Sequence, residues 1–239
     1  MFRIHHYFLL VLLLPLIFGS CKALKESSKY GFNEGYYKSR LFHKKLKKVY
    51  VVPQDNYIKV YTEKSLHKVD TAIAVKIAFP PDQRPGDFEE YLFRKSSPDI
   101  DIISILLKYR AAIFGFPNQL NTSIFNGAFY FGYRNDIYKL KYTENPLHEF
   151  KRNVRHYGFS AGVFAGLGTT AMNEFVTQNN IAIEYDGFVN VEGVAAFFSV
   201  RKLTFGLNFG VDHLMDPNRE VWIYQGKSWV GLSVGLHLN

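Results

Sequence analysis

The stretch LTFGLNFGVD, residues 203–212, decides the fold, because large apolar side chains alternate in it with small or polar ones. A period of two is typical of a β-strand, whose successive side chains point to opposite faces of a sheet. The pattern recurs in FSAGVFAGLG (159–168) and SWVGLSVGLHL (228–238). Eight such runs begin near Asp99, Asn121, Ile137, Val154, Asn180, Glu192, Leu203 and Ser228. Residues 98–239 are therefore expected to form an all-β, antiparallel domain.

The small residues indicate which face of these strands points outward. A soluble barrel buries its apolar face, whereas a membrane barrel turns that face to lipid. Glycine has poor strand propensity and costs about 0.5–1 kcal/mol relative to alanine, so it suits a water-facing strand badly. Its frequency on the polar face fits the crowded interior of a narrow barrel. We expect an eight-stranded, antiparallel, up-and-down transmembrane β-barrel with its apolar face toward lipid.

Charged residues fall on the same face as the glycines and would form a charge network in the lumen. They are Lys108, Arg110, Lys139, Lys141, Glu184, Asp186 and Asp212. Enclosed charges have to pair, because removing one partner of a buried ion pair costs roughly 3–5 kcal/mol. The expected lumen is therefore polar, salt-bridged and non-conducting. The alternative, in which these residues lie on a solvated face, stays open.

Connection lengths between the runs should alternate, because outer-membrane barrels have tight turns at one end and longer loops at the other. Asn135-Asp136 and Arg201-Lys202 are predicted to be tight turns. The segment 169–179 is long where the alternation requires a short turn. Aromatic residues near the strand ends would form a girdle at headgroup level: Tyr109, Tyr133, Tyr157, Tyr185, Trp222, Tyr224 and Trp229.

The N-terminal segment has the layout of a signal peptide, with Arg3 ahead of an apolar run over residues 7–18. That run is too short for a transmembrane helix. It ends in Phe-Gly-Ser-Cys at residues 18–21, which resembles the lipobox of bacterial lipoproteins, and Cys21 is the single cysteine. The resemblance implies a cleaved signal peptide over 1–20 and palmitate-like acyl chains on Cys21. An ordinary secretory signal with an incidental cysteine remains the alternative.

The formal charge of +8 is concentrated just after this segment, since residues 22–48 hold nine Lys or Arg against Glu26 and Glu34. Residues 21–45 therefore look like a lipidated basic tether, attracted to anionic headgroups or merely solvated. The remainder is close to neutral, which argues against a nucleic-acid partner. Residues 46–97 contain β-rich runs around a turn at 53–56 and are expected to form a small β-hairpin element.

The dyad pattern over residues 98–239 resembles that of the small eight-stranded outer-membrane barrels of Gram-negative bacteria, of the OmpA transmembrane-domain and OmpX type. The resemblance implies an outer-membrane protein with a structural or interaction role, and the lipobox resemblance implies that it is also lipid-anchored through Cys21. Its partners would be outer-membrane lipid and envelope proteins, and no cofactor is expected. The sequence contains no His-Glu-x-x-His, no Gly-rich phosphate loop and no Gly-x-Ser-x-Gly, so an enzyme is not expected.

Two alternative functions stay open. Some eight-stranded barrels are lipid A acyltransferases or deacylases that use a rim histidine with a serine or an acid. His156 and His213 are the candidates, with Asp212, Asp216 and Ser228 close in sequence to His213. The chain could instead be a soluble, lipid-tethered, lipocalin-like barrel that binds an apolar ligand. Its interior would then be lined by Leu203, Phe205, Leu207 and Phe209.

Overall fold

The computed structural model describes residues 31–41, 45–54, 57–65, 68–78, 90–113, 115–122, 125–147, 150–200 and 203–236. The predicted signal peptide and Cys21 lie outside these residues. Within them the regular structure is β-strand with short 3-10 turns and no α-helix, which confirms the all-β class. In the same ranges, no helical segment has the length and apolar character needed to cross a membrane.

The chain divides into two compact units, residues 1–84 and 85–239. The first unit contains β1 (Gly35–Ser39), β2 (Lys47–Pro53), β3 (Tyr57–Ser65) and β4 (Lys68–Ala78). Successive strands pair antiparallel, and Val51 lies opposite Val60 in the hairpin that the sequence predicts. Both side chains are fully buried. β1 falls inside residues 21–45, which were predicted to be a tether. That prediction is wrong over β1, because its Tyr37 is a buried side chain of this sheet.

The second unit contains the long strands. They are β5 (Tyr91–Ser104), β6 (Leu107–Arg110), β7 (Gln119–Asn121), β8 (Asn126–Glu144), β9 (Phe150–Met172), β10 (Tyr185–Val200), β11 (Leu203–Leu214) and β12 (Ser228–Leu236). Their order is β5-β8-β9-β10-β11-β12-β6-β7, and the neighbouring strands pair antiparallel. The predicted domain boundary at 97/98 is wrong, since it falls inside β5.

β5 and β6 are separated by only two residues, and the N–H groups of these residues donate to two different strands, β8 and β12. The Ile105 N–H donates to the Asn126 carbonyl oxygen at the start of β8, at 3.0 Å. The Leu106 N–H donates to the Leu232 carbonyl oxygen of β12, also at 3.0 Å. Residues 91–110 therefore pair with β8 through β5 and with β12 through β6.

The predicted division into strands is wrong at two places. Asn135 and Asp136 were expected to form a tight turn, yet they lie in the middle of β8. Their side chains have partners there, because Ser96 Oγ lies 2.6 Å from Asn135 Oδ1 and Asp136 accepts from Arg134. The runs near Asn180 and Glu192 are also not separate strands, since β10 is continuous over 185–200. Each of these two pairs of predicted strands is therefore one long strand, β8 or β10.

Once the two wrongly predicted strand breaks are dropped, the connections alternate in length as expected. The connections 111–118, 173–184 and 215–227 lie at one end of the strands, whereas the shorter 145–149 and 201–202 lie at the other. The segment 169–179, which had the wrong length in the eight-run scheme, now falls among the long connections. Its first residues extend β9 as far as Met172.

The large apolar side chains of the second unit point outward. Phe205, Leu207 and Phe209 are 52, 57 and 53 % exposed, while Asn208 between them is fully buried. They therefore do not line an interior, which contradicts the lipocalin-like arrangement. We call this exposed set the apolar belt: Ile100, Ile102, Phe129, Phe131, Tyr133, Phe159, Val163, Leu167, Val194, Phe198, Leu203, Phe205, Leu207, Phe209, Val230, Leu232 and Val234.

Candidate functional site: the buried ion clusters

The inner face of the second unit carries a charged group that three strands bring together. Lys108 and Arg110 lie on β6, in register with Gly231 and Trp229 of β12. Asp212 lies on the adjacent β11, and all three charged side chains have no exposed surface. Strand alternation places each of them on the inner face. We call Lys108, Arg110, Asp212 and Trp229 the inner ion cluster.

The Asp212 carboxylate is the centre of this cluster. It accepts hydrogen bonds from Lys108 Nζ at 3.1 Å, from Trp229 Nε1 at 2.9 Å and from Arg110 Nη2. Lys108 Nζ also lies 4.8 Å from the Trp229 ring centroid, a cation–π distance. Two cations therefore share one carboxylate. Such a cluster depends on every partner, because a buried charge left unpaired is costly.

Arg110 extends the cluster to other strands. Its Nη1 donates to Gln119 Oε1 of β7 at 2.8 Å and to Thr170 Oγ1 of β9 at 3.3 Å. β9 stands four places away from β6 in the strand order of the second unit. The inner face is therefore curved enough for a β6 side chain to reach β9.

Aromatic side chains enclose the Arg110 guanidinium. Its Cζ lies 5.4 Å from the ring centroid of Trp222 and 5.5 Å from that of Tyr224. Both rings, and Trp229, are 1–2 % exposed. Their predicted place in a headgroup girdle is therefore wrong, because all three rings are buried. The Tyr224 hydroxyl donates to the Pro117 carbonyl oxygen, and burial raises the pKa of Tyr224 while Arg110 opposes the rise.

The other four predicted members of the charge network do not lie on the inner face. Lys141, Glu184 and Asp186 are exposed, and Lys139 pairs with Glu90 at 3.1 Å where both side chains are somewhat less than half exposed. These residues were assigned to the wrong face because the prediction placed a turn where the strand in fact continues. Because β8 continues through residues 135 and 136, its odd-numbered positions stay outward down to Lys141.

A second ion cluster, which the sequence analysis missed, consists of Asp99, Arg134, Asp136 and His156. Asp136 Oδ1 accepts from Arg134 Nε at 2.8 Å and lies 2.6 Å from His156 Nε2. Arg134 Nη1 lies 3.9 Å from Asp99 Oδ2. The spacing of Arg134 and Asp136, two residues apart on one strand face, was the available signal. The interpretation of Asp136 as a turn residue concealed it.

Between the two clusters the inner face is filled by aromatic and hydroxyl side chains. Tyr130 packs edge-on against Phe197 at 4.9 Å, and its hydroxyl lies 2.7 Å from Ser160 Oγ. Asn208 Nδ2 donates to Ser233 Oγ at 2.7 Å. The inner face is therefore layered, with aromatic rings and hydrogen-bonded hydroxyl and amide groups between the two ion clusters, and the polar, non-conducting lumen stays a prediction.

The rim histidines do not assemble a catalytic group with their predicted partners. His213 points outward, 3.6 Å from Glu192, whereas its neighbour Asp212 points inward. Asp216 accepts from the Tyr185 hydroxyl and from the Asn218 N–H, and Ser228 is exposed. Among the described residues, no three His, Cys, Asp or Glu side chains converge on a possible metal position. The arrangement is suited to holding strands together.

Comparison of the chain with models of known protein families found no match, and neither did comparisons with curated proteins and with solved structures.

Proposed function

We propose that this chain is an integral outer-membrane β-barrel lipoprotein with a structural or interaction role and a filled, non-conducting interior. The observation that carries the proposal is the inversion of the second unit. Its large apolar side chains are exposed while Lys108, Arg110, Asp212 and Arg134 are buried. The proposed partners are outer-membrane lipid and, through the long connections, envelope proteins.

The apolar belt is difficult to reconcile with a water-exposed surface. Monomeric soluble proteins rarely expose contiguous apolar patches larger than a few hundred Å². Covering one large aliphatic or aromatic side chain is worth roughly 1.5–3 kcal/mol, and the belt contains many of them on consecutive strands. Acyl chains would cover the whole belt at once, because they surround the protein on every side.

The strand pairing supports a barrel of six long strands in place of the predicted eight. β12 pairs with β6, and β6 continues β5 after two residues. Side chains from distant strands also meet on the inner face, as Arg110 and Thr170 do at 3.3 Å. A sheet curled round its inner face accounts for both observations, and it brings the β12 end of the sheet to the β5–β6 segment.

The height of the belt matches a bilayer. On β9 the outward positions from Tyr157 to Leu167 are apolar, with Arg155 just before them and Thr169 just after. Ten residues rise about 33 Å along a strand at about 3.3 Å each. At a tilt of about 40° this spans about 25 Å, the height of the apolar band of outer-membrane barrels.

Extraction of a Cys21→Ser full-length variant with alkaline carbonate tests the proposal. This variant lacks the proposed lipid anchor, so only the strands can hold it. We expect it to remain in the membrane pellet and to migrate as a compact species on a denaturing gel until boiled. Release into the supernatant would overturn the proposal. In a planar bilayer we expect no stepwise conductance, because side chains occupy the interior; steady channel openings would contradict the filled lumen.

A further inference from the structure

Four cations lie together on the outward face at the end of the second unit where the connections are short. They are Arg94 of β5, Lys139 and Lys141 of β8, and Arg155 of β9, and we call them the basic patch. Arg94, Lys141 and Arg155 are exposed, and Lys139 is 41 % exposed. Among the described residues, the only carboxylate that pairs with the patch is Glu90, on Lys139.

The patch is electrostatically unfavourable within the protein alone. Lys139 and Arg155 are directly opposite each other in the β8–β9 ladder, and like charges in that position destabilise a sheet. Arg94 lies opposite Ile137, one outward position from Lys139, and Lys141 lies opposite Asn153. An external anionic partner would remove this repulsion.

The position of the patch indicates what that partner is. The apolar stretch of β9 begins at Tyr157, and Arg155 is the outward position immediately before it. Headgroups begin where the hydrocarbon ends and add a layer several Å thick on each side of a bilayer. Resting on the proposed membrane insertion, we propose that the basic patch binds anionic phospholipid headgroups of the leaflet on the short-connection side.

Spin-labelled lipids test this with the full chain reconstituted in phosphatidylcholine vesicles. The motionally restricted fraction of a labelled phosphatidylglycerol is compared with that of a labelled phosphatidylcholine. We expect an excess of restricted phosphatidylglycerol that disappears at high salt, because a basic residue near an anionic surface is worth roughly five-fold in association. The double variant Lys141→Gln/Arg155→Gln should bring the ratio of the two fractions close to unity.

Arg219→Gln/Lys227→Gln is the matched control, since it removes two exposed cations from the connection at the opposite end. It should keep the wild-type ratio. Restricted lipid without selectivity, or selectivity that survives in Lys141→Gln/Arg155→Gln, would overturn the inference and leave the membrane insertion standing. Absence of restricted lipid for both labels would overturn the proposed function and this inference together.

Discussion

The two faces of β11 differ in a way that reverses the usual arrangement of a water-soluble strand. Outward, Phe205, Leu207 and Phe209 are about half exposed; inward, Asn208 and Asp212 have no exposed surface. A soluble protein places most of its charges where water solvates them. Here the charged side chains are buried and pair with one another, and the large apolar side chains are exposed. The proposed lipid environment accounts for this distribution of residues between the two faces.

Substitution of Asp212 by Asn should produce the largest loss, because it leaves Lys108 and Arg110 buried without their shared carboxylate. We expect about 3–5 kcal/mol less free energy of unfolding. Urea titration in lipid vesicles, followed by the gel mobility of unboiled protein, measures it. Glu192→Gln is the outward counterpart, since the Glu192–His213 pair is about half exposed. It should cost at most about 1 kcal/mol, and equal losses would contradict the distinction between the faces.

Substitution of Leu207 by Arg tests whether this position contacts lipid or water. A charge at the centre of the lipid-facing band costs about 2–4 kcal/mol, whereas most substitutions at an exposed site in water change stability by less than about 0.5 kcal/mol. The same urea titration applies. Asn118→Arg, at an exposed position of the connection 111–118 outside the strands, is the control and should be nearly neutral. A neutral Leu207→Arg would remove the support that the belt gives to membrane insertion.

Gly210 probes how tightly the inner face is filled, and the exposed, outward-facing Gly127 is its control. A Cβ built on Gly210 would lie 2.5 Å from Cζ2 of the Trp229 indole, whereas one on Gly127 would meet nothing within 4 Å. Gly210→Ala should therefore cost about 1–3 kcal/mol through overpacking. Gly127→Ala should be neutral or slightly stabilising in the same titration. A neutral Gly210→Ala would mean that the interior has room to spare.

The glycines on the polar face predicted that the apolar face points outward. The period of two in the strand runs predicted the all-β class, because it fixes which side chains share a face. It also placed Lys108, Arg110 and Asp212 on the inner face. It could not decide whether Asn135 and Asp136 form a turn, since both residues favour turns in isolation. In the fold their side chains contact Ser96 and His156, which lie outside any local window of sequence, as well as the nearby Arg134. That one error also misplaced Lys139 and Lys141 and concealed the second ion cluster.

The central claim is that the outward face of the long strands contacts acyl chains. Single Leu207→Cys and Asn208→Cys variants, each in a Cys21→Ser background and spin-labelled in vesicles, test it through collision rates with oxygen and with a water-soluble nickel complex. The account predicts that the label at 207 collides often with oxygen and rarely with nickel, while the label at 208 meets neither. Frequent collisions of the label at 207 with nickel would contradict it.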